Sequence, residues 1–148
     1  MPTRCAKSGK WGFASGCTPR ASIRGGLPPL LPLVDWVAMD IKAPFEEYAV
    51  TTGAHASGKA ALESAQLILA GGVEHEFRTT VHPSLLPPDS LARLVQSVAE
   101  LGVRNYVLQE FRAQGCASAR LQDAASYLTD SFLHSMAPLF SSFSVRRA

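Results

Sequence analysis

The chain has 148 residues, of which 47% are hydrophobic and 18% are charged, so it is long and apolar enough to fold around a core. Its net charge of +2 offers no concentrated basic face, which argues against nucleic-acid binding. No run approaches the roughly 18 apolar residues of a membrane span. The three separated cysteines, Cys5, Cys17 and Cys116, indicate no disulfide framework and favour the reducing cytoplasm.

Residues 1–29 carry no strand or helix period, whereas strands and helices alternate over residues 30–148. Helices of one to two dozen residues between strands favour a parallel sheet with right-handed crossovers. The sequence therefore predicts an α/β protein, either a small open domain or part of a (β/α) barrel. The predicted strands are 36–42, 73–81, 105–111 and 143–147; the predicted helices begin at the N-caps Ser57 and Asp89, and the last spans about 119–136.

Polar residues end the first two predicted strands. Asp40 and Lys42 share one face of the first strand, and Arg78 lies four residues before His82 on the second. Because sites in parallel β/α folds lie at the carboxyl ends of strands, these four are candidate ligand-binding residues. Asp40 and Lys42 suit a zwitterion or a phosphate with a hydroxyl, and the Arg78 guanidinium suits a carboxylate or phosphate.

Plainer interpretations stand beside these. Asp40 and Lys42 could form an ordinary exposed ion pair. Arg78 could pair with a carboxylate across the strands, and His82 could be a hydrogen-bonded structural histidine. The D-x-K-x-x-D signature of sugar-phosphate decarboxylase barrels is a rival, although Phe45 stands where its second Asp would be.

Three segments resemble anaerobic ribonucleoside-triphosphate reductase activating proteins, a family of radical S-adenosylmethionine enzymes. They are LLPLVDWVAMDIKAPFEEY at residues 30–48, FRTTVHP at 77–83 and YVLQEFR at 106–112. The segments follow the family's order and its approximate spacing. One departure is Glu110, where the family's last segment is expected to have proline.

The resemblance implies a partial (β/α)₆ barrel whose amino-terminal CxxxCxxC loop binds a [4Fe–4S] cluster that chelates S-adenosylmethionine. Reductive cleavage of that cofactor gives a 5′-deoxyadenosyl radical, which abstracts hydrogen from a glycine of the partner, the anaerobic ribonucleotide reductase. The resemblance also implies that Asp40, Lys42 and Arg78 line the cofactor pocket, with His82 at the end of the same strand as Arg78.

The CxxxCxxC motif is absent, because Cys5 and Cys17 lie twelve positions apart and the next cysteine is Cys116. Three thiolates must converge on one cluster, so we expect no cluster in this chain and no activity of the chain by itself. The family's amino-terminal strands are also expected to be missing, which leaves residues 30–148 as the carboxyl-terminal half of the barrel.

The segment at residues 15–29, SGCTPRASIRGGLPP, can share its coding DNA with VGLHTAGIYPRRLAA in another reading frame. The second string resembles the family's strand and helix immediately before residue 30. We therefore interpret residues 1–29 as irregular and attribute this stretch to a frameshift.

Two other functions remain open at this stage. One is a non-catalytic α/β module that binds a partner or dimerises through an exposed sheet edge. The other is a sugar-phosphate lyase built on Asp40 and Lys42.

Overall fold

A four-stranded parallel sheet forms the centre of the computed structural model, which describes residues 27–29, 31–113 and 124–147. The strands lie in sequence order, β1-β2-β3-β4, and every neighbouring pair is parallel. This arrangement confirms the α/β class and the predicted parallel order, and the sheet is open rather than closed into a barrel. The strands are β1 (Trp36–Asp40), β2 (Glu74–Val81), β3 (Asn105–Glu110) and β4 (Ser142–Arg146).

The described residues include four α-helices between these strands: α1 (Tyr48–Thr52), α2 (Ser57–Ala70), α3 (Pro88–Glu100) and α4 (Asp130–Met136). Two 3₁₀ turns, Leu31–Leu33 and Ala137–Leu139, precede β1 and β4. Within the described residues, none of the helices is long and apolar enough to cross a membrane.

The helix starts differ from the sequence prediction. Ser57 is the first residue of α2 rather than its cap, and the preceding Ala56 adopts a left-handed conformation with φ 61°. Asp89 lies in the first turn of α3, which begins at Pro88. Proline at the first helical position has a preset φ and no N–H to satisfy, so the two prolines before Asp89 set the start of this helix.

The last predicted helix is wrong in its first part. Residues 124–129 form no regular element, and residues 119–123 lie outside the described part of the chain. The helix begins instead at Asp130, because the Thr129 hydroxyl accepts a hydrogen bond from the Phe132 N–H at 3.2 Å. This is a side-chain N-cap, which satisfies one of the free N–H groups at the helix start.

One face of the sheet packs against the helices and holds the core. Its strand residues interleave with the apolar stripes of α2 and α3 in a single buried cluster. We call this the helix-packed face. It includes Val37, Phe77, Val81, Tyr106 and Leu108 from the strands and Ala65, Ile68, Leu91, Leu94, Val95 and Val98 from the helices.

The other side, which we call the open face, carries the alternate residues of each strand. The register brings Asp40, Arg78, Val107 and Ser144 into one row across the four strands. Ala38 and Val107 are buried on this face, yet neither belongs to the cluster formed with the helices. The remaining open-face residues are mostly polar: Glu74, Glu76, Thr80, Asn105, Gln109, Ser142 and Arg146.

A buried hydroxyl pair ties β1, β2 and β3 together inside the core. Thr79 donates to the Ile41 carbonyl at 2.8 Å, and its oxygen lies 2.6 Å from the Tyr106 hydroxyl. Both side chains are 0% exposed. The pair therefore satisfies three polar groups that water does not reach.

Replacing Thr79 with the similarly shaped valine should lower the free energy of unfolding by about 2–4 kcal/mol, since it leaves two buried groups without their partner. Urea unfolding followed by circular dichroism measures this loss. The double variant Thr79→Val, Tyr106→Phe should recover part of it, because it removes one of the stranded groups. Equal stability of Thr79→Val and the wild type would contradict this account.

Candidate functional site

Asp40 and Arg78 meet at the carboxyl ends of β1 and β2. They occupy paired positions in the register, and the Arg78 Nε lies 2.7 Å from the Asp40 Oδ1. Each side chain is 22% exposed, so the pair is partly shielded from water yet reachable by a small ligand. The structure thus brings together two of the residues selected from the sequence, on the open face rather than in the helix layer.

A second ion pair lies on the same face one row earlier in β2. Arg146 of β4 reaches across β3 to Glu76 of β2, with 2.9 Å between its Nη2 and the Glu76 Oε2. The Glu76 side chain is 13% exposed. The open face therefore presents two neighbouring carboxylate–guanidinium pairs, and their charges balance locally.

Tyr48 holds the end of β1 in place. Its hydroxyl accepts a hydrogen bond from the Lys42 N–H at 2.9 Å and lies 3.4 Å from the Asp40 carbonyl oxygen, to which it donates. Burial raises the pKa of Tyr48 to about 12, so the hydroxyl is neutral at physiological pH. The Lys42 side chain itself is exposed, beyond the last residue of the strand.

The loop between β1 and α1 is also anchored from outside the sheet. The Glu47 carboxylate accepts hydrogen bonds from Ser90 at 3.1 Å and from Arg93, both on α3. Because α3 follows β2, this contact joins the loops at the carboxyl ends of two adjacent strands. It places the loop that follows Lys42 against the helix that follows Arg78.

His82 occupies a different environment from the other three candidates. It is 5% exposed, its ring packs edge-on against Phe111 at 5.3 Å, and its Nδ1 accepts from the Ser84 N–H at 3.2 Å. It lines a small cavity with Glu110, Phe111, Tyr127 and residues around them. The cavity volume of ≈ 20 Å³ is room for one water molecule, and this setting suits a structural histidine.

Two parts of the site were not identified from the sequence. Tyr48 lies in the first segment that resembles the family. Its hydroxyl bonds main-chain groups at the end of β1, and no sequence pattern marks a tyrosine with that role. The pair between Glu76 and Arg146 depends on the position of the last strand, although the alternation of β2 already placed Glu76 on the face of Arg78.

The described residues contain no group of three His, Cys, Asp or Glu side chains that could hold a metal ion. Cys5, Cys17 and Cys116 lie outside the described ranges. The cysteine spacing in the sequence does not fit a cluster loop, whereas the pair of Asp40 and Arg78 fits a ligand that carries both an ammonium and a carboxylate group.

Comparisons with known proteins give no relatives. No family model, no curated protein and no solved structure matches the chain.

Proposed function

We propose that this chain is the carboxyl-terminal β/α part of a radical S-adenosylmethionine activating protein, of the kind that generates a glycyl radical on the anaerobic ribonucleotide reductase. By itself the chain is inactive and lacks the cluster. The observation that carries the proposal is the contact of Asp40 with Arg78 at the carboxyl ends of adjacent parallel strands. Both residues belong to segments that resemble the family.

The chemistry of this pair suits the amino-acid end of S-adenosylmethionine. A zwitterion can exchange partners with an internal ion pair, with its ammonium on Asp40 and its carboxylate on Arg78, so that no charge is left unpaired. Lys42 lies exposed just beyond the strand end, two residues after Asp40. When bound with a cluster, S-adenosylmethionine supplies the radical chemistry of the family.

A second observation concerns the outer edge of β1. In a parallel strand alternate residues point their main-chain groups to opposite sides, and Ile41 donates to the Arg78 carbonyl on β2. Ala38 therefore points its N–H and C=O away from β2. Ala38 is 0% exposed, and no partner for these two groups lies among the described residues. A further strand beside β1 would satisfy them, whether it comes from residues outside the described ranges or from another chain.

The same edge, which has no partner strand among the described residues, is compatible with one alternative, a non-catalytic α/β module that pairs its β1 with a strand of another protein. The two proposals differ in what the open face does. An interaction module needs only the edge and has no use for Asp40 and Arg78. A sugar-phosphate lyase has less support, because Asp40 is engaged by Arg78 and Phe45 stands at the second acidic position.

The test uses the 148-residue chain with S-adenosylmethionine as the probe, followed by NMR. Binding should be weak, with Kd of ~5–10 mM, because the three partly exposed charges contribute only about 1 kcal/mol each. Shifts should map to the amides of Asp40, Lys42 and Arg78. Asp40→Asn should raise the Kd that these shifts report by about fivefold, the equivalent of about 1 kcal/mol, whereas the control Glu74→Gln, on the same face at the start of β2, should leave it unchanged.

The activity arm measures 5′-deoxyadenosine under dithionite. The chain alone should give none, and mixing it with a separately expressed CxxxCxxC half of a family member should give product that Asp40→Asn abolishes. Product from the chain alone would overturn the proposal. The proposal would also be overturned if S-adenosylmethionine shifted no amides and the mixture gave no product. That result would favour the interaction module.

A further inference from the structure

The strand at the opposite end of the sheet, β4, has an edge without a neighbour. Ser142 donates to the Arg104 carbonyl at 2.9 Å, so Ser142, Ser144 and Arg146 direct their main-chain groups at β3. The alternate residues Phe143 and Val145 direct theirs away from the sheet. No hydrogen-bond partner for these outward groups lies in the described part of the chain.

The charged residues that would normally guard such an edge are held elsewhere. Edge strands are commonly protected by charged side chains that repel an approaching strand. Here Arg146 is bound to Glu76 on the open face, and Arg147 is bound to Glu110 at 2.7 Å and to Ser126 at 3.0 Å. Among the described residues, the outward side of β4 therefore presents main-chain groups without a hydrogen-bond partner.

We propose that β4 pairs with β4 of a second copy of this chain, antiparallel about a two-fold axis at Ser144. In this register Phe143 lies opposite the partner's Val145, and the two exchange both of their hydrogen bonds. Ser144 lies opposite the partner's Ser144, and Arg146 opposite the partner's Ser142. No like charges face each other, and the two sheets join into one of eight strands.

Partly exposed apolar side chains lie next to the edge of β4 and adjoin the proposed strand pairing. Phe143 and Val145 are only partly buried, Phe143 stacks on Phe140 with 5.7 Å between ring centroids, and Leu139 is 40% exposed. A copy placed across the axis would cover part of this surface. Pairing of two five-residue strands buries less than the ~1,200 Å² of a stable interface, so the association is reversible and depends on concentration.

Sedimentation velocity from ~10 µM to ~1 mM should show a monomer that converts to a dimer. Val145→Pro should raise Kd by at least ~10-fold, because it removes an outward N–H used twice across the axis. Its monomer should keep the wild-type melting temperature within a few degrees, since that N–H has no partner in the single chain. The matched variant Val145→Thr keeps the N–H and the shape, and should still dimerise.

Disulfide formation between single-cysteine variants tests the register of the proposed β4–β4 pairing without a proline in the strand. In a background without Cys5, Cys17 and Cys116, Ser144→Cys should cross-link two copies, because directly opposed non-hydrogen-bonded residues have Cα atoms about 4.5 Å apart. Ser142→Cys should not, since the two copies of residue 142 lie several residues apart along the strands. A monomer at every concentration, or equal cross-linking at both positions, would overturn the proposal, whatever becomes of the S-adenosylmethionine site.

Discussion

Raising the pH from about 10 to about 12 should unfold the protein cooperatively, because all three tyrosines resist ionisation in the folded state. Burial raises the pKa of Tyr48 and of Tyr127 to about 12, and burial holds the pKa of Tyr106 still further above its usual range. In the unfolded chain each hydroxyl ionises near its ordinary pKa of 10.0. The folded state therefore keeps protons that the unfolded state releases.

The direction follows from proton linkage. A folded pKa above the unfolded value gives stability that is complete below pH 10 and is lost as the pH rises toward the folded value. For Tyr48 alone the loss amounts to about 2 kcal/mol by pH 12. That is a large part of the 5–15 kcal/mol that stabilises an ordinary domain, and Tyr106 adds to it.

Circular dichroism and tyrosinate absorbance near 295 nm, recorded together against pH, measure this transition. Both signals should change at the same pH, because ionisation and unfolding are one event. Tyr48→Phe should make the stability fall less steeply between pH 10 and pH 12, although it lowers stability at pH 7 by removing the contacts to Lys42 and Asp40. Tyrosinate absorbance that rises near pH 10 while the circular dichroism stays native would refute the expectation.

Gly58→Ala should be among the most damaging single substitutions in the chain. Gly58 is buried in the first turn of α2, and a Cβ there would lie inside van der Waals contact with the Phe45 carbonyl and close to the Tyr48 Cβ. Since the obstacle is main chain, it cannot rotate away. We expect a loss of at least ~3 kcal/mol, which corresponds to a fall of about 10 °C in Tm.

Gly72→Ala is the matched control. Its Cβ would meet nothing within 4 Å, but its φ of +64° disfavours any side chain, so it should cost only about 1 kcal/mol. Gly58→Ala should also broaden or shift the Lys42 amide resonance, because Phe45 and Tyr48 must move. Thermal unfolding of the two variants measures this difference. A similar Tm for both would show that the main chain at Phe45 moves aside at little cost in stability.

The parts predicted well from sequence depend on local alternation and on chain direction. Asp40 and Arg78 could be placed on one face because side chains alternate along a strand, and at one edge because the strands were predicted to be parallel. Their 2.7 Å contact needed one further fact, the register of β1 against β2. Register is a property of the assembled sheet.

The parts predicted poorly are short or depend on distant residues. Helix α1 has five residues, too few to show a helical period. The sequence predicts a helix from about residue 119, but the Thr129 hydroxyl caps a helix that begins at Asp130. Tyr48 reaches back eight residues to the Asp40 carbonyl, a contact set by the turn of the loop between them.

The sequential parallel order of the strands has a consequence for how the protein forms during synthesis. Each strand pairs with the one made just before it, and none waits for a later segment to fill a gap between two others. The sheet can therefore grow in one direction as the chain leaves the ribosome, with each crossover helix adding its buried stripe. Strand β4 joins last, so the first three strands can pair with one another before β4 is available.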